Sequence, residues 1–145
     1  MINVRRCKWE DLNRILEIER TSFNQPYDRN VFIYYLMNES ERFLVAEVNN
    51  FVVGYIISSI LNNVGLIISL AVDNKWRRKG IGKKLLEVAF QQLSNKVKRV
   101  ELQVRVSNES ALRFYLNFGF KIEKRIKEYY PDGEDAYLMA KDLDF

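Results

Sequence analysis

Several residue types that dominate enzyme active sites are scarce or missing in this chain of 145 residues. Histidine is absent, and cysteine occurs once, as Cys7. The lack of histidine excludes histidine-based zinc sites, Ser-His-Asp triads and Cys-His dyads. A single cysteine cannot form an intramolecular disulfide, so we expect Cys7 to be a small buried residue. General acid–base chemistry would therefore depend on carboxylates, tyrosine, water or the backbone.

The sequence also lacks long apolar runs, internal repeats and low-complexity tracts. No run reaches the roughly 18–20 residues of a membrane span, and no apolar segment follows the basic start as in a signal peptide. With only 6 glycines and 2 prolines, no linker is evident. Hydrophobic residues are 48% and charged residues 29%, which is typical of a globular protein. We expect one cytoplasmic domain over residues 1–145 that folds without disulfides or a metal.

Basic charge is concentrated in one segment. The net charge is +4, yet the chain outside positions 75–84 is slightly acidic. Six basic residues with no acid among them lie in that segment: Lys75, Arg77, Arg78, Lys79, Lys83 and Lys84. This pattern indicates a local anion site rather than a general nucleic-acid surface. The alternative is a basic face that is simply solvated.

Hydrophobic periodicity predicts an α+β fold with a mixed, mostly antiparallel sheet and about four helices. Strands are predicted over 2–7, 42–48, 51–60, 64–72, 99–105, 120–126 and 136–141. Helices are predicted to begin near Trp9, after Asp28, near Ile81 and after Ser107 or Asn108, with Gly119 ending the last. Asn49-Asn50 indicates a hairpin turn. The strand–helix–strand crossover over 64–104 should be parallel and right-handed.

The strongest chemical signal is a strand, then Arg77-x-x-Gly80-x-Gly82, then a helix. Glycines allow a ligand close to the backbone, and a helix N-terminus favours phosphate. The spacing is too short for a dinucleotide fingerprint, and no G-x-x-x-x-G-K-[ST] loop is present. The segment therefore predicts a phosphate-binding turn of another kind.

These residues resemble a known family. The stretch from Arg77 to Gly82 is similar to the R/Q-x-x-G-x-G/A pyrophosphate loop of the GNAT superfamily of N-acetyltransferases. The central strand of that family is similar to Ser69-Leu70-Ala71-Val72. Its N-x-x-A-x-x-x-Y…GF segment resembles Asn108-Glu109-Ser110-Ala111, followed by Tyr115 and then by Phe118-Gly119-Phe120. The resemblance runs over about 4–143. The YYPDGEDA stretch at 129–136 is similar to that of protein N-terminal acetyltransferases, including the ribosomal-protein alanine acetyltransferases.

The resemblance implies acetyl-CoA as cosubstrate, no metal, and a role for each matching residue. The implied coenzyme-binding residues are Leu70, Ala71, Val72, Arg77, Arg78, Lys79, Gly80, Ile81, Gly82, Lys83, Asn108 and Tyr115. Tyr115 would stand near the sulfur as the general acid for the leaving thiolate. The residues implied to flank the peptide N-terminus are Phe23, Pro26, Tyr27, Tyr129 and Tyr130.

Two positions depart from the family pattern, and both concern the general base. Relatives often hold a base or its relay water where this chain has Leu66 and Gln103. Gln103 can orient a water beside the substrate, whereas Leu66 cannot. Glu19, on the apolar stripe of the first helix, is the leading candidate base; its alternative is a partly solvated residue near the helix end. Two other options remain for the general base: Glu101 acts through a water molecule, or the enzyme has no dedicated base.

The remaining assignments also have structural alternatives. Tyr115 is either a general acid or a tyrosine of the core. Asn108 is either a coenzyme ligand or only a helix cap. The tyrosine pair at 129–130 either contacts the substrate or packs at a strand edge. The predicted function is acetylation of protein N-terminal α-amines in a ternary complex, with ribosomal proteins as one substrate class and association with the ribosome as one expectation. An acetyltransferase for a small-molecule amine and a non-catalytic acetyl-CoA-binding module are the alternatives. Neither specific nucleic acid nor a membrane is expected as a partner, and the oligomeric state is not predicted.

Overall fold

The computed structural model describes residues 1–143 and contains seven strands and four α-helices in that range. The strands are β1 (Asn3–Arg6), β2 (Phe43–Val48), β3 (Phe51–Leu61), β4 (Val64–Val72), β5 (Arg99–Arg105), β6 (Lys121–Ile126) and β7 (Ala136–Asp142). The helices are α1 (Leu12–Ser22), α2 (Arg29–Asn38), α3 (Ile81–Leu93) and α4 (Glu109–Phe118). The strand order is β1-β2-β3-β4-β5-β7-β6. The predicted α+β class, its order of elements and its mostly antiparallel sheet are confirmed.

The chain divides into two compact units. The first comprises Met1–Ser59 and Ile67–Leu93, and therefore holds β1, β2, α1, α2, α3 and most of β3 and β4. The second comprises Ile60–Leu66 and the chain from Ser94 onward, which carries β5, α4, β6 and β7. The single domain expected from the sequence stays a prediction.

The core of the first unit lies under the amphipathic helix α1. Leu12, Ile15 and Ile18 recur at helical spacing and are at most 3% exposed. They belong to one apolar cluster with Phe32 and Tyr55, whose rings meet edge to face at 5.7 Å. Cys7 is buried in the same cluster, as predicted, and burial raises the pKa of its thiol to about 12. Together these contacts fix α1 on the strands that carry the site.

Two Asn-Asn pairs form the turns of consecutive hairpins. Asn49 and Asn50 have φ of 51° and 66°, in the left-handed region that a two-residue hairpin turn requires. This confirms the predicted turn between β2 and β3. Asn62 and Asn63 repeat it between β3 and β4, with φ of 53° and 65°, although the sequence analysis did not single that pair out.

The second unit contains a parallel strand pairing. Gly65 and Leu66 of β4 pair with Val100 and Glu101 of β5, so the predicted crossover is parallel. The neighbour of β5 on its other side is β7, which runs antiparallel and pairs with β6 in turn. Along β5 the side chains alternate between buried and less buried positions, as the pleat of a strand demands.

Some element boundaries differ from the prediction. The helix expected near Trp9 begins as a 3-10 turn over Trp9–Asp11, and α1 begins at Leu12. Asp28 occupies the N-cap of α2, but its side chain accepts no capping hydrogen bond. Asn108 does cap α4, because its Oδ1 accepts the Ala111 N–H at 3.2 Å. Gly119 ends that helix with φ 113°, as predicted.

Candidate active site

The basic turn lies between β4 and α3 in the first unit. Arg78 and Gly80 both have positive φ, of 62° and 81°, so the backbone reverses twice before the helix begins. A Cβ built on Gly80 meets nothing within 4 Å, which leaves open space over the turn. The Lys84 N–H bonds the Gly80 carbonyl at 3.0 Å, whereas the first amides of an α-helix have no acceptor within it. The turn thus offers N–H donors to a ligand.

Cationic side chains surround those donors. All six basic residues at 75–84 are exposed, and Gly82 is partly exposed. The four that lie within three positions of Gly80 in the chain are Arg77, Arg78, Lys79 and Lys83. Ile81 is only 2% exposed and anchors the start of α3 in the core. The Arg77 guanidinium donates from Nε to the Val72 carbonyl at 3.1 Å and from Nη2 to Ser22 Oγ at 3.3 Å. Arg77 is therefore bonded to the end of β4 as well as exposed beside the turn.

A second arginine holds the start of the turn. Asp73 accepts the Lys75 N–H at 2.9 Å, and its own N–H donates to the Val53 carbonyl at 2.7 Å. Arg14 of α1 forms an ion pair with Asp73 and donates from Nε to the Val52 carbonyl at 2.8 Å. Burial alone would raise the pKa of Asp73, but the Lys75 amide and Arg14 outweigh it and lower that pKa.

The end of β4 packs closely against β3. Leu70 and Val72 are partly exposed, and Ala71 between them is 6% exposed. A Cβ built on Gly54 would lie 3.0 Å from the Ala71 carbonyl oxygen and 3.3 Å from Leu85 Cδ1. Glycine at this position therefore permits the close approach of the strand that precedes the basic turn.

Glu19 lies in a buried polar cluster of the first unit. It is 2% exposed, so the expectation of a partly solvated residue is wrong. Its Oε1 accepts hydrogen bonds from the Tyr55 hydroxyl and from Ser69 Oγ, the latter at 3.2 Å. Its Oε2 accepts the Tyr27 backbone N–H at 2.9 Å. Burial, and then the neighbouring Glu19 carboxylate, raise the pKa of Tyr55 well above its usual value.

The loop after α1 carries three predicted substrate residues. Phe23 is partly buried and packs against the core cluster, whereas Pro26 and Tyr27 are exposed. The Tyr27 hydroxyl donates to the Ile68 carbonyl at 3.5 Å. The structure thus brings Glu19 and Tyr27 together but leaves Phe23 facing the core.

In the second unit, Tyr115 is buried on α4. It is 9% exposed, and burial raises the pKa of its hydroxyl above the usual value. Its ring meets those of Phe114 and Phe120 edge to face, at 5.1 and 5.5 Å. This apolar setting further favours the protonated hydroxyl, which is already the form of an ordinary tyrosine at neutral pH.

The YYPDGEDA segment is organised by an arginine of β5. The Arg105 guanidinium lies 4.0 Å from the centroid of the Tyr130 ring and donates to Asp132 at 3.0 Å and Glu134 at 2.8 Å. Tyr129 is 46% exposed and meets Tyr130 edge to face at 4.9 Å. Bonds from Ser107 and Arg105 lower the pKa of Glu134, so its carboxylate stays charged above acidic pH.

The positions that depart from the family pattern lie on the paired strands β4 and β5. Gln103 is exposed and pairs with Leu138 of β7. Leu66 is partly buried and pairs with Glu101, whose carboxylate accepts Arg99 Nε at 2.9 Å. Glu101 is therefore already engaged by a cation of its own strand.

Sequence reasoning missed several residues of these clusters. Tyr55, Arg14 and Arg105 were not singled out, and Ser69 was noted only as part of a strand pattern. A tyrosine within the apolar run of β3 was the available signal for Tyr55, because a buried hydroxyl needs a partner. The partners themselves are distant in sequence and become visible only in the fold.

Residues 1–143 contain neither a membrane-spanning helix nor a cluster of metal-binding side chains. None of the helices there is long and apolar enough to cross a membrane. No three or more Cys, Asp or Glu side chains are grouped there in a way that could hold a metal ion.

Comparisons with known proteins agree with this architecture. Residues 9–120 match the acetyltransferase (GNAT) family model. An N-alpha-acetyltransferase of Saccharolobus solfataricus is 37% identical, over 97% of this chain and 92% of its own. The crystal structure of Ard1 from Thermoplasma volcanium superposes with a TM-score of 0.94 at 29% identity, covering 99% of each chain. The ribosomal-protein-S18-alanine N-acetyltransferase of Escherichia coli gives 0.86 at 28% identity, over 100% of this chain and 96% of that one.

These similarities confirm the family resemblance seen in the sequence. They favour acetylation of protein N-termini over a small-molecule amine substrate and over a module without catalytic activity. The chain therefore belongs to the GNAT family and is an acetyl-CoA-dependent N-acetyltransferase.

Proposed function

We propose that this chain transfers the acetyl group of acetyl-CoA to the N-terminal α-amine of proteins, by direct attack of the amine in a ternary complex. The observation that carries the proposal is the exposed basic turn that opens α3. A pyrophosphate is the anion that such a turn accommodates, because helix amides and several cations converge on it. The relatives named N-alpha-acetyltransferases support a protein N-terminus as the acceptor.

The residues present fit acetyl-CoA. Gly80 leaves open space where the pyrophosphate would approach the backbone, and the four exposed cations around it supply positive charge. The pyrophosphate contacts are assigned to Arg77, Arg78, Lys79, Gly80, Ile81, Gly82 and Lys83. The backbone of Leu70, Ala71 and Val72 would hold the pantetheine arm and the thioester carbonyl. Asn108, partly exposed at the start of α4, would add a hydrogen bond to the pantetheine.

Tyr115 is proposed as the general acid. The reaction forms a bond between the amine nitrogen and the acetyl carbon, and it breaks the bond from that carbon to sulfur. The departing thiolate takes a proton, which the protonated hydroxyl of Tyr115 can donate. An α-amine has a pKa of about 7.7–8.0, so near pH 8 much of it is already neutral. Gln103 would orient a water that accepts the proton lost by the amine after attack.

Two aromatic segments are proposed to flank the peptide. Phe23, Pro26 and Tyr27 on the loop after α1 would contact the first residues of the substrate, as would Tyr129 and Tyr130. Arg105 would keep the latter pair in place by stacking on Tyr130. A cytoplasmic location, where ribosomal and newly made proteins present free N-termini, is part of this proposal, and so is association with the ribosome.

Acetyl transfer to defined peptides tests the proposal. Peptides that begin with Met, Ser, Ala, Thr or Glu are incubated with acetyl-CoA at about pH 8, and fragment mass spectrometry locates the acetyl group. We expect it on the α-amine. Lys79→Gln should raise the KM for acetyl-CoA several-fold, whereas Lys96→Gln, an exposed lysine outside the turn, should leave it unchanged.

The remaining outcomes are informative too. Acetylation only of lysine side chains or of polyamines added to the mixture would overturn the N-terminal assignment. Acetyl-CoA binding by calorimetry without transfer to any of these amines would support a binding module instead.

A further inference from the structure

The Glu19 carboxylate accepts hydrogen bonds at both of its oxygens. Oε1 receives two hydroxyls, from Tyr55 and Ser69, which are themselves 3.0 Å apart. Oε2 receives the backbone N–H of Tyr27 at 2.9 Å. Tyr55 is fully buried and Ser69 is 8% exposed, so both hydroxyl donors lie in the interior of the first unit. Within residues 1–143, no lysine or arginine forms an ion pair with Glu19, and its contacts are with two hydroxyls and one backbone amide.

The Tyr27 amide belongs to the loop between α1 and α2. This segment, 23–28, has no helix or strand, and every position from 24 to 28 is exposed. A bond from a buried carboxylate to the middle of an exposed loop restricts the positions that the loop can adopt. Glu19 therefore links the rigid strands β3 and β4 to the loop that carries Phe23, Pro26 and Tyr27.

The same geometry is unsuited to proton abstraction. A general base must reach the amine, or one water bound to it, at hydrogen-bonding distance. Glu19 is 2% exposed, and both of its oxygens already accept bonds from the protein.

We propose that Glu19 is a positioning residue: its carboxylate fixes the 23–28 loop through the Tyr27 amide and so sets the affinity for the peptide N-terminus, while it takes no proton from the substrate. This inference rests on the proposed function, in which that loop lines the peptide site. It replaces proton transfer by Glu19 with a role in substrate binding.

Glutamine at this position separates the two roles. Its carbonyl oxygen can accept the Tyr27 N–H, and its amide NH₂ can donate to Tyr55 and Ser69, because hydroxyls also accept hydrogen bonds. Glu19→Gln therefore keeps the link to the loop but cannot act as a base at neutral pH. Glu19→Ala loses both.

Steady-state kinetics with an N-terminal peptide give the first test. We expect Glu19→Gln to keep kcat and the peptide KM within about threefold of the unmodified protein. In Glu19→Ala the peptide KM should rise about 10- to 100-fold, the equivalent of a lost hydrogen bond to a charged group, with a smaller change in kcat. A fall in kcat of about 100-fold or more in Glu19→Gln, as for loss of a general base, would overturn the proposal.

Hydrogen exchange provides a readout that does not depend on activity. The Tyr27 amide should be protected in the unmodified protein and in Glu19→Gln, and should exchange about 10- to 100-fold faster in Glu19→Ala. Equal exchange in all three would overturn the proposal. Glu10→Gln, at an exposed carboxylate of the preceding 3-10 turn, is the matched control and should change neither exchange nor kinetics.

The two hypotheses fail in different ways. If the unmodified protein acetylates no N-terminal peptide, the proposed function fails, and exchange at Tyr27 still decides whether Glu19 holds the loop. If it acetylates peptides but the variants behave as a lost base, the positioning role alone fails. Acetyl-CoA binding measured by calorimetry reports whether Glu19→Ala remains folded.

Discussion

Tyr115 combines a reactive hydroxyl with an apolar setting. A tyrosine hydroxyl is protonated at neutral pH, and burial raises the pKa of Tyr115 further. A general acid needs that protonated form, but a high pKa also makes the proton harder to give up. A thiol is a stronger acid than a tyrosine hydroxyl, so complete proton transfer to the departing thiolate is uphill. The hydroxyl can still stabilise the negative charge that develops on sulfur by donating a hydrogen bond as the C–S bond breaks.

Tyr115→Phe tests this role. The ring contacts with Phe114 and Phe120 should be preserved, and the melting temperature should change little. Because only the proton donor is removed, kcat should fall about 100-fold while the KM values for acetyl-CoA and peptide change little. The check is steady-state kinetics beside Tyr34→Phe, an exposed tyrosine of α2. A kcat within about threefold of the unmodified protein would assign Tyr115 to the core alone.

Residue-scale prediction from the sequence worked where the cause is local. Asn108 and Gly119 were identified from cap and stop signals that act within a few positions. The burial of Glu19 was missed, because it depends on a tyrosine 36 positions away that supplies the compensating hydrogen bond. No periodicity in α1 reveals that partner.

At the scale of elements, β4 and the turn before α3 were predictable because their sequence signals are also local. The apolar run over Val64–Val72 has clear ends, and the glycines and charges that follow break its pattern at once. The start of α1 was less certain because Trp9–Asp11 forms a 3-10 turn, for which propensity gives no separate signal. The contact of Gly54 with β4 required the assembled strands.

Replacing the glycine in each of two turns tests which turn binds acetyl-CoA and which lies at the peptide site. Gly80 and Gly133 both have positive φ, of 81° and 90°, and a Cβ on either meets nothing within 4 Å. Valine is strained at such a φ, so each change should distort its own turn without a packing clash. Gly80→Val should weaken acetyl-CoA binding about tenfold or more, by calorimetry.

Gly133→Val serves as the matched comparison. It should leave acetyl-CoA binding unchanged and raise the peptide KM, because Gly133 lies in the turn beside Tyr129 and Tyr130. If both variants lost acetyl-CoA affinity equally, the effect would be global destabilisation, and the assignment of the phosphate turn would lose its support.

For the molecule as a whole, acid stability depends on carboxylates that are bonded in the folded state. Burial alone would raise the pKa of Asp11, but bonds from Arg5 and the Lys8 amide lower it. Bonds from Asn3 and Arg5 lower the pKa of Glu47. A carboxyl with a lower pKa in the folded state stabilises the fold above its unfolded pKa of about 4. That contribution disappears as the pH falls through the folded value.

Arg5→Gln should expose this dependence. At pH 7 the free energy of unfolding of the variant should be about 1–2 kcal/mol lower, because Asp11, 8% exposed, no longer has its charged partner. The melting temperature should fall by roughly 3–8 °C. The difference from the unmodified protein should begin to shrink as the pH falls below about 4 and continue to shrink toward the lowered pKa values of the two carboxyls in the folded state. Thermal unfolding from pH 3 to 7 is the measurement, and the exposed neighbour Arg6→Gln is its control.

A difference that stays constant over this pH range would show that Arg5 acts through packing of its aliphatic stem rather than through its charge. An equal loss of stability in Arg6→Gln would point to a general effect of positive charge near β1.

The two edge strands of the sheet, β1 and β6, have a consequence for self-association. β1, at one end, has only four residues. At the other end β6 is almost wholly exposed and charged at positions 121 and 123–125, and Arg99 forms an ion pair with Glu123 there. A second chain that added a strand to β6 would have to desolvate those charges before it gained any main-chain hydrogen bonds. Aggregation through this edge is thus opposed electrostatically in the folded state, even though the strand is long enough to serve as a template.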